Sequence, residues 1–158
     1  MSGDGASWSI RVDDVRGGQV IQLLREHLES MKLYSPPESI HALDLPALRR
    51  PEITFWCVWE DRELLGCGAI KELDARHAEI KSMRTVERQR RRGIAAHLMQ
   101  HILLEARRRG FRRLSLETGS AQGFAAARAL YERFGFHYCE PFADYVLDPY
   151  SVFMSREL

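Results

Sequence analysis

Cysteine is scarce in this chain: Cys57, Cys67 and Cys139 are three thiols in 158 residues, far apart and never in a Cys-x-x-Cys pair. An odd, scattered set argues against a disulfide framework and a cysteine zinc site, leaving the thiols as reduced, buried packing residues. Charge of one sign is lacking too. A formal net charge of +1 provides no global field to gather nucleic acid or an anionic membrane, so any basic patch must act locally. No apolar run approaches the length of a membrane span, and residues 1–7 have neither the basic start nor the apolar centre of a signal peptide. The expectation is a cytoplasmic protein with no membrane or nucleic-acid partner and a flexible tail over 1–7. Nucleotide signatures are missing as well, since neither Gly-x-Gly-x-x-Gly nor a Walker-type Gly-Lys-Ser/Thr occurs. His97 and His101 lie four apart on one predicted helix with no third ligand evident nearby, so no metal is expected.

What is present suffices for one domain over 1–158, because 45% hydrophobic content in 158 residues can build one sizeable core. Trp8, Ile10 and Val12 alternate with polar residues as a first strand with one buried face. Leu23, Leu24, His27, Leu28 and Met31 recur at helical spacing in a helix from Val20 to about Lys32, which Pro36-Pro37 follows. A short helix is expected over His41 to Leu48. Ile53 to Trp59, Leu64 to Leu73 and Ala78 to Val86 form an antiparallel meander of three strands. Gly66 and Gly68 in its middle strand allow something to approach that face closely. A long helix then runs from Gly93 to Arg107-Arg-Arg-Gly110, followed by a strand at Leu114 to Thr118 and a last helix carrying Phe124, Ala127, Leu130 and Tyr131. Short strands around Phe136 to Phe142 and Ser151 to Ser155 finish the chain.

The junction between the third meander strand and the long helix carries the strongest chemical signal. Backbone N–H groups in a helix's first turn lack intrahelical partners and sit at the positive end of its dipole, so they suit a pyrophosphate. Gly93, Ala95 and Ala96 leave room for such a ligand, while Arg88, Arg90, Arg91 and Arg92 add positive charge. The arginines alone also fit a solvated surface turn.

In order, the strand, Arg90-x-x-Gly93-x-Ala95, the helix, a second strand and Tyr131-Glu-Arg-Phe-Gly-Phe136 resemble the GCN5-related N-acetyltransferase (GNAT) superfamily. The resemblance implies an α/β fold with a mixed, mostly antiparallel, splayed sheet flanked by helices. It also implies acetyl-CoA as co-substrate and a small-molecule or peptide amine as acceptor, and it leaves a homodimer open. Acetyl transfer to an amine needs a held CoA, a base, an oxyanion donor and an acid for the leaving thiolate. On the resemblance, Met83, Arg84 and Thr85 border the pantetheine, and Arg91, Arg92, Gly93, Ile94, Ala95 and Ala96 border the pyrophosphate. Glu79 would be the base, directly or through water, and Tyr131 the acid. Regular alternation puts Glu79, Lys81, Met83 and Thr85 on one strand face, and it leaves open that Glu79 merely pairs with Lys71 or Lys81. Tyr34, Glu38 and His41 occupy the region that borders the acceptor in the family. Where the family often has a CoA-contacting Asn this chain has Phe124, so Ser120 or Gln122 would have to replace it. A non-catalytic acyl-CoA-binding module and a nucleic-acid-binding protein are the rival readings.

Overall fold

The computed structural model describes residues 7–37 and 44–158. Its frame is a seven-stranded sheet of order β1-β2-β3-β4-β5-β7-β6. The strands are β1 (Trp8–Val12), β2 (Ile53–Glu60), β3 (Glu63–Glu72), β4 (His77–Thr85), β5 (Arg113–Gly119), β6 (His137–Cys139) and β7 (Ser151–Glu157). The helices are α1 (Gly18–Lys32), α2 (Leu45–Leu48), α3 (Ile94–Arg108) and α4 (Ala125–Arg133). Every pairing is antiparallel except β4 with β5, which are parallel and joined by α3. This is the mixed, mostly antiparallel sheet expected from the sequence.

Two apolar layers sandwich the sheet. On one face α3 places Ile94, Leu98, Met99, Ile102 and Ala106 against Val58, Leu65, Ile70, Ile80 and Leu116, all buried. Those helix residues recur every three or four positions, so one stripe of α3 supplies the layer. Leu98 and Ile102 each contribute about 1.5–3 kcal/mol by burial, and Leu98→Ala is expected to cost about 2–5 kcal/mol. On the other face α1 packs Val20, Leu23 and Leu24 on Phe55, Cys57, Cys67 and Ala69. Gly110, at φ +88°, follows α3 where only a residue free of Cβ strain fits cheaply.

Several local expectations are corrected. Trp8 and Ile10 pack against the α3-side core, but Val12, the last residue of an edge strand, is 68% exposed. Cys57 and Cys67 are buried, whereas Cys139 on the outermost strand β6 is only half-buried. Of the expected helix over His41 to Leu48, α2 covers Leu45–Leu48, and 41–43 lie outside the described residues. Ser7 of the expected tail donates a hydrogen bond to Glu60 at 3.2 Å. What approaches the glycines of β3 is the protein itself: a Cβ at Gly68 would lie 2.4 Å from the Met83 sulfur, and one at Gly66 2.9 Å from the Arg84 carbonyl oxygen.

The largest correction concerns β4. Ser82 adopts φ +58° and inserts an extra residue: Lys81 pairs with Ala69 and Arg84 with Cys67, so Gly68 alone faces Ser82 and Met83. This β-bulge resets the alternation. Met83 consequently packs into the α3-side layer, while Glu79, Lys81 and Arg84 share the α1 side with Ala69 and Cys67, the partners of Lys81 and Arg84. Glu79 and Met83 therefore do not share a face.

Candidate functional site

The β4–β5 ladder spans only His77 to Ile80 against Arg113 to Leu116. Beyond it β4 continues to Thr85 and β5 to Gly119 without pairing each other, and the strands splay. A cavity of about 700 Å³ occupies the opening, lined by Glu79 to Thr85, Glu117 to Gly119, the start of α3, the inner side of α4 and the C-terminal half of α1. One cavity thus joins most of the residues that the sequence singled out.

At one end is the start of α3. Gly93 caps it in the left-handed conformation, φ +84°, with open space where a Cβ would stand. The first intrahelical bond from the cap carbonyl goes to His97 N at 3.0 Å, and no side chain caps the turn. The amides of Ile94, Ala95 and Ala96 are therefore directed outward into the cavity mouth, the donor set a pyrophosphate requires. Arg90 and Arg91 also line the cavity. Arg88 and Arg92 turn elsewhere: Arg88 pairs with Glu63 at 2.9 Å, and Arg92 reaches Glu60 at 3.2 Å while its guanidinium lies 5.4 Å from the Trp8 ring. Of the four arginines in this turn, two line the cavity.

In the middle lie Met83 and Thr85 on the free edge of β4, with Tyr131 of α4. The Tyr131 ring is 5.9 Å from Phe136 edge-on, so an aromatic residue just beyond the end of α4 fixes its orientation. Burial, with the negative charge of Glu117 nearby, pushes its phenol well above the ordinary value. Tyr131 thus stays protonated, and its hydroxyl remains a donor inside the cavity.

Glu79 lies at the inner end. It is 3% exposed, accepts a 2.5 Å hydrogen bond from the Tyr145 hydroxyl and lies 3.4 Å from Lys81 Nζ. The ion pair with Lys81 exists, yet Glu79 also lines the cavity, so the two alternatives left by the sequence are not exclusive. Tyr145 went unrecognised in the sequence, as it sits 66 residues away in the loop before β7. That loop is pinned to the end of β5, where Ser120 N donates to the Tyr150 carbonyl and Ser120 Oγ to the Pro149 carbonyl. The Tyr145 ring also packs against Phe142 and Phe153 at 5.1 and 5.5 Å. Burial and Glu79 push its phenol up, so it too remains a donor.

Tyr34, beyond the end of α1, lines the cavity and meets Phe124 edge-on at 5.6 Å. Gly119 and Gly123 make this possible: a Cβ at Gly119 would lie 2.1 Å from the Phe124 ring and one at Gly123 2.5 Å from the Tyr34 ring. Phe124 thus packs on Tyr34 in the cavity wall. Ser120 is engaged with its loop, Gln122 is exposed, and neither lines the cavity. Glu38 and His41 lie outside the described residues. His97 and His101 sit edge-on to Trp8 and Trp56, each at 5.3 Å, as packing partners.

Comparison with known proteins adds a family. The model of the Acetyltransferase (GNAT) family matches residues 20–136. The uncharacterised N-acetyltransferase YsnE of Bacillus subtilis strain 168 is 63% identical over 149 residues, covering 94% of this chain and 99% of that protein. The uncharacterised N-acetyltransferase YedL of Escherichia coli K12 is 50% identical over 151 residues, covering 96% and 95%. A GNAT family acetyltransferase from Elizabethkingia anophelis, solved with acetyl-CoA bound, superposes with a TM-score of 0.68 at 18% identity over 96% of this chain and 99% of that one, a likeness of fold. Both sequence relatives carry enzyme names, so a non-catalytic module has no support.

Proposed function

The chain belongs to the GNAT acetyltransferase family, and from that premise we propose that it moves the acetyl group of acetyl-CoA to a primary amine by direct attack, with both substrates in the cavity between β4 and β5. The observation that carries this reading is the continuity of one cavity from the open amides of α3, past Tyr131, to the buried carboxylate of Glu79.

The diphosphate rests on the amides of Ile94 to Ala96, flanked by Arg90 and Arg91. The pantetheine runs along the unpaired edge of β4 at Met83 to Thr85, where main-chain groups left free by the splay hold it and polarise the thioester carbonyl. The amine nitrogen attacks the thioester carbon, a C–N bond forms, and Glu79 takes the nitrogen's proton directly or through one water. Collapse of the tetrahedral intermediate breaks the C–S bond. Tyr131 gives its proton to the departing sulfur and regains one from the solvent-connected site, so that free CoA and the N-acetylated product leave. Tyr145 and Lys81 hold the Glu79 carboxylate in place through the reaction.

The test is a panel of amino acids, polyamines, aminoglycosides and short peptides, incubated with acetyl-CoA and followed by thiol release and product mass. Acetylated product with stoichiometric CoA is the expected result. Acetyl-CoA binding with no turnover on any amine would overturn the proposal.

A further inference from the structure

Three residues that line the cavity each carry a buried side-chain atom with no partner: Arg84 Nε, Ser82 Oγ and His27 Nδ1. Arg84 lies on the α1 side of β4 because of the bulge. Had β4 alternated regularly, Arg84 would have faced α3; the extra residue at Ser82 instead keeps it on the face of Glu79 and Lys81, pairing Cys67. There burial lowers the affinity of its guanidinium for the proton, and Arg90 adds like charge. Glu26 and Glu87 act on it from a distance, but no carboxylate among the described residues forms an ion pair with it. His27, across from it on α1, is held down to about 4 by burial and by Arg84, so it is neutral and supplies no counter-charge.

A partly buried guanidinium without an anion is costly unless a ligand supplies one. The neighbouring unpaired atoms suit the same ligand, since a hydroxyl and a neutral imidazole can both donate to an anionic oxygen. A phosphate and a carboxylate share this chemistry. Position favours the carboxylate: the open amides for the diphosphate belong to α3, whereas Arg84 lies on the α1 face of β4 and His27 on α1 itself. Resting on the proposed acetyl transfer, we infer that the acceptor is a small amine bearing a carboxylate, which Arg84 binds with Ser82 and His27 while its amine points along β4 to Glu79. The register gives the scale. Glu79 pairs with Lys71 and Arg84 with Cys67, four residues apart, or about 13 Å between the backbones at ~3.3 Å per residue. Arg84 and Glu79 both line the cavity on one face of β4, so that span suits a small acceptor and not a folded protein.

Kinetics on matched pairs test this: α- and ω-amino acids, each compared with its own primary carboxamide, at saturating acetyl-CoA. The ω-series keeps the change of charge remote from the amine, so amine basicity stays nearly constant across each pair. In the wild-type protein kcat/KM should favour the acid over its amide by about 10- to 100-fold. Arg84→Gln should bring that ratio close to one, and Arg84→Lys should keep part of it. Equal kcat/KM for acid and amide in the wild-type protein overturns the inference even if no variant folds. So does an unchanged ratio in Arg84→Gln accompanied by a raised KM for acetyl-CoA, which assigns Arg84 to a phosphate of the co-substrate. If acids and amides alike go unacetylated, the proposed transferase activity falls, and this inference with it; acetylation without preference removes the inference alone.

Discussion

Acidification should destabilise this protein through His27. The ring lies between α1 and β4, and its pKa is lowered from 6.5 to about 4, by burial first and by Arg84 second. Below pH 6.5 the unfolded chain takes up a proton that the folded state refuses, so stability falls as pH falls, until the folded pKa is passed. The gap between 6.5 and about 4, at 1.36 kcal/mol per pH unit, amounts to about 3 kcal/mol lost by pH ~4. That is a large fraction of the ~5–15 kcal/mol typical of a domain. His27→Leu removes the titrating group. The assay is urea unfolding of both proteins at intervals from pH 7 to pH 4, comparing the change in unfolding free energy with pH, not its absolute value. Carboxylates and the other histidines are common to both proteins and cancel to first order. The wild-type curve should fall about 3 kcal/mol further than that of His27→Leu. Parallel curves would refute the reasoning, because they would mean that His27 binds protons equally in both states.

Three further outcomes are expected. Gly93→Asp places a side chain and a negative charge in open space beside the first-turn amides of α3, so calorimetry should show acetyl-CoA affinity lowered at least about 10-fold in a folded protein. Tyr131→Phe keeps the ring against Phe136 but removes the proton donor, so kcat should fall about 10²-fold or more with little change in acetyl-CoA binding. Tyr145→Phe takes one donor from Glu79 and keeps the packing on Phe142 and Phe153; kcat/KM for the amine should drop about 10-fold while the KM for acetyl-CoA stays put.

Sequence reading reached the parts of the site that local chemistry dictates. A strand running into a glycine and then an amphipathic helix is written in residue type and spacing, so the place of Gly93 and the direction of α3 were legible. The buried face of α3 was legible for the same reason. Alternation failed in β4 because the bulge is made by Ser82, a residue that ordinarily avoids positive φ and carries no mark of a bend. The small residues of β3 signal room for a close approach without saying by what; the bulged strand and α3 fill that room. Tyr145 was hidden by distance along the chain, since a loop tyrosine meets Glu79 only after β5, α4 and β7 have assembled. The arginines of the turn looked alike in sequence. Which of them face the cavity depended on Glu60, Glu63 and Trp8 drawing two of them away.

The central claim is that Glu79 receives the proton of an amine attacking acetyl-CoA, and the pH dependence of turnover in Glu79→Gln tests it most directly. The substitution keeps the shape of the side chain and an acceptor for Tyr145 while removing the base. Rates are to be measured at saturating acetyl-CoA with an acceptor whose acetylated product has been verified. At low pH, where the amine is largely protonated, the variant should be most impaired. At high pH, where the amine is already free, the difference from the wild-type protein should narrow. Equal rates for the two proteins at every pH would contradict the account and remove Glu79 from the reaction.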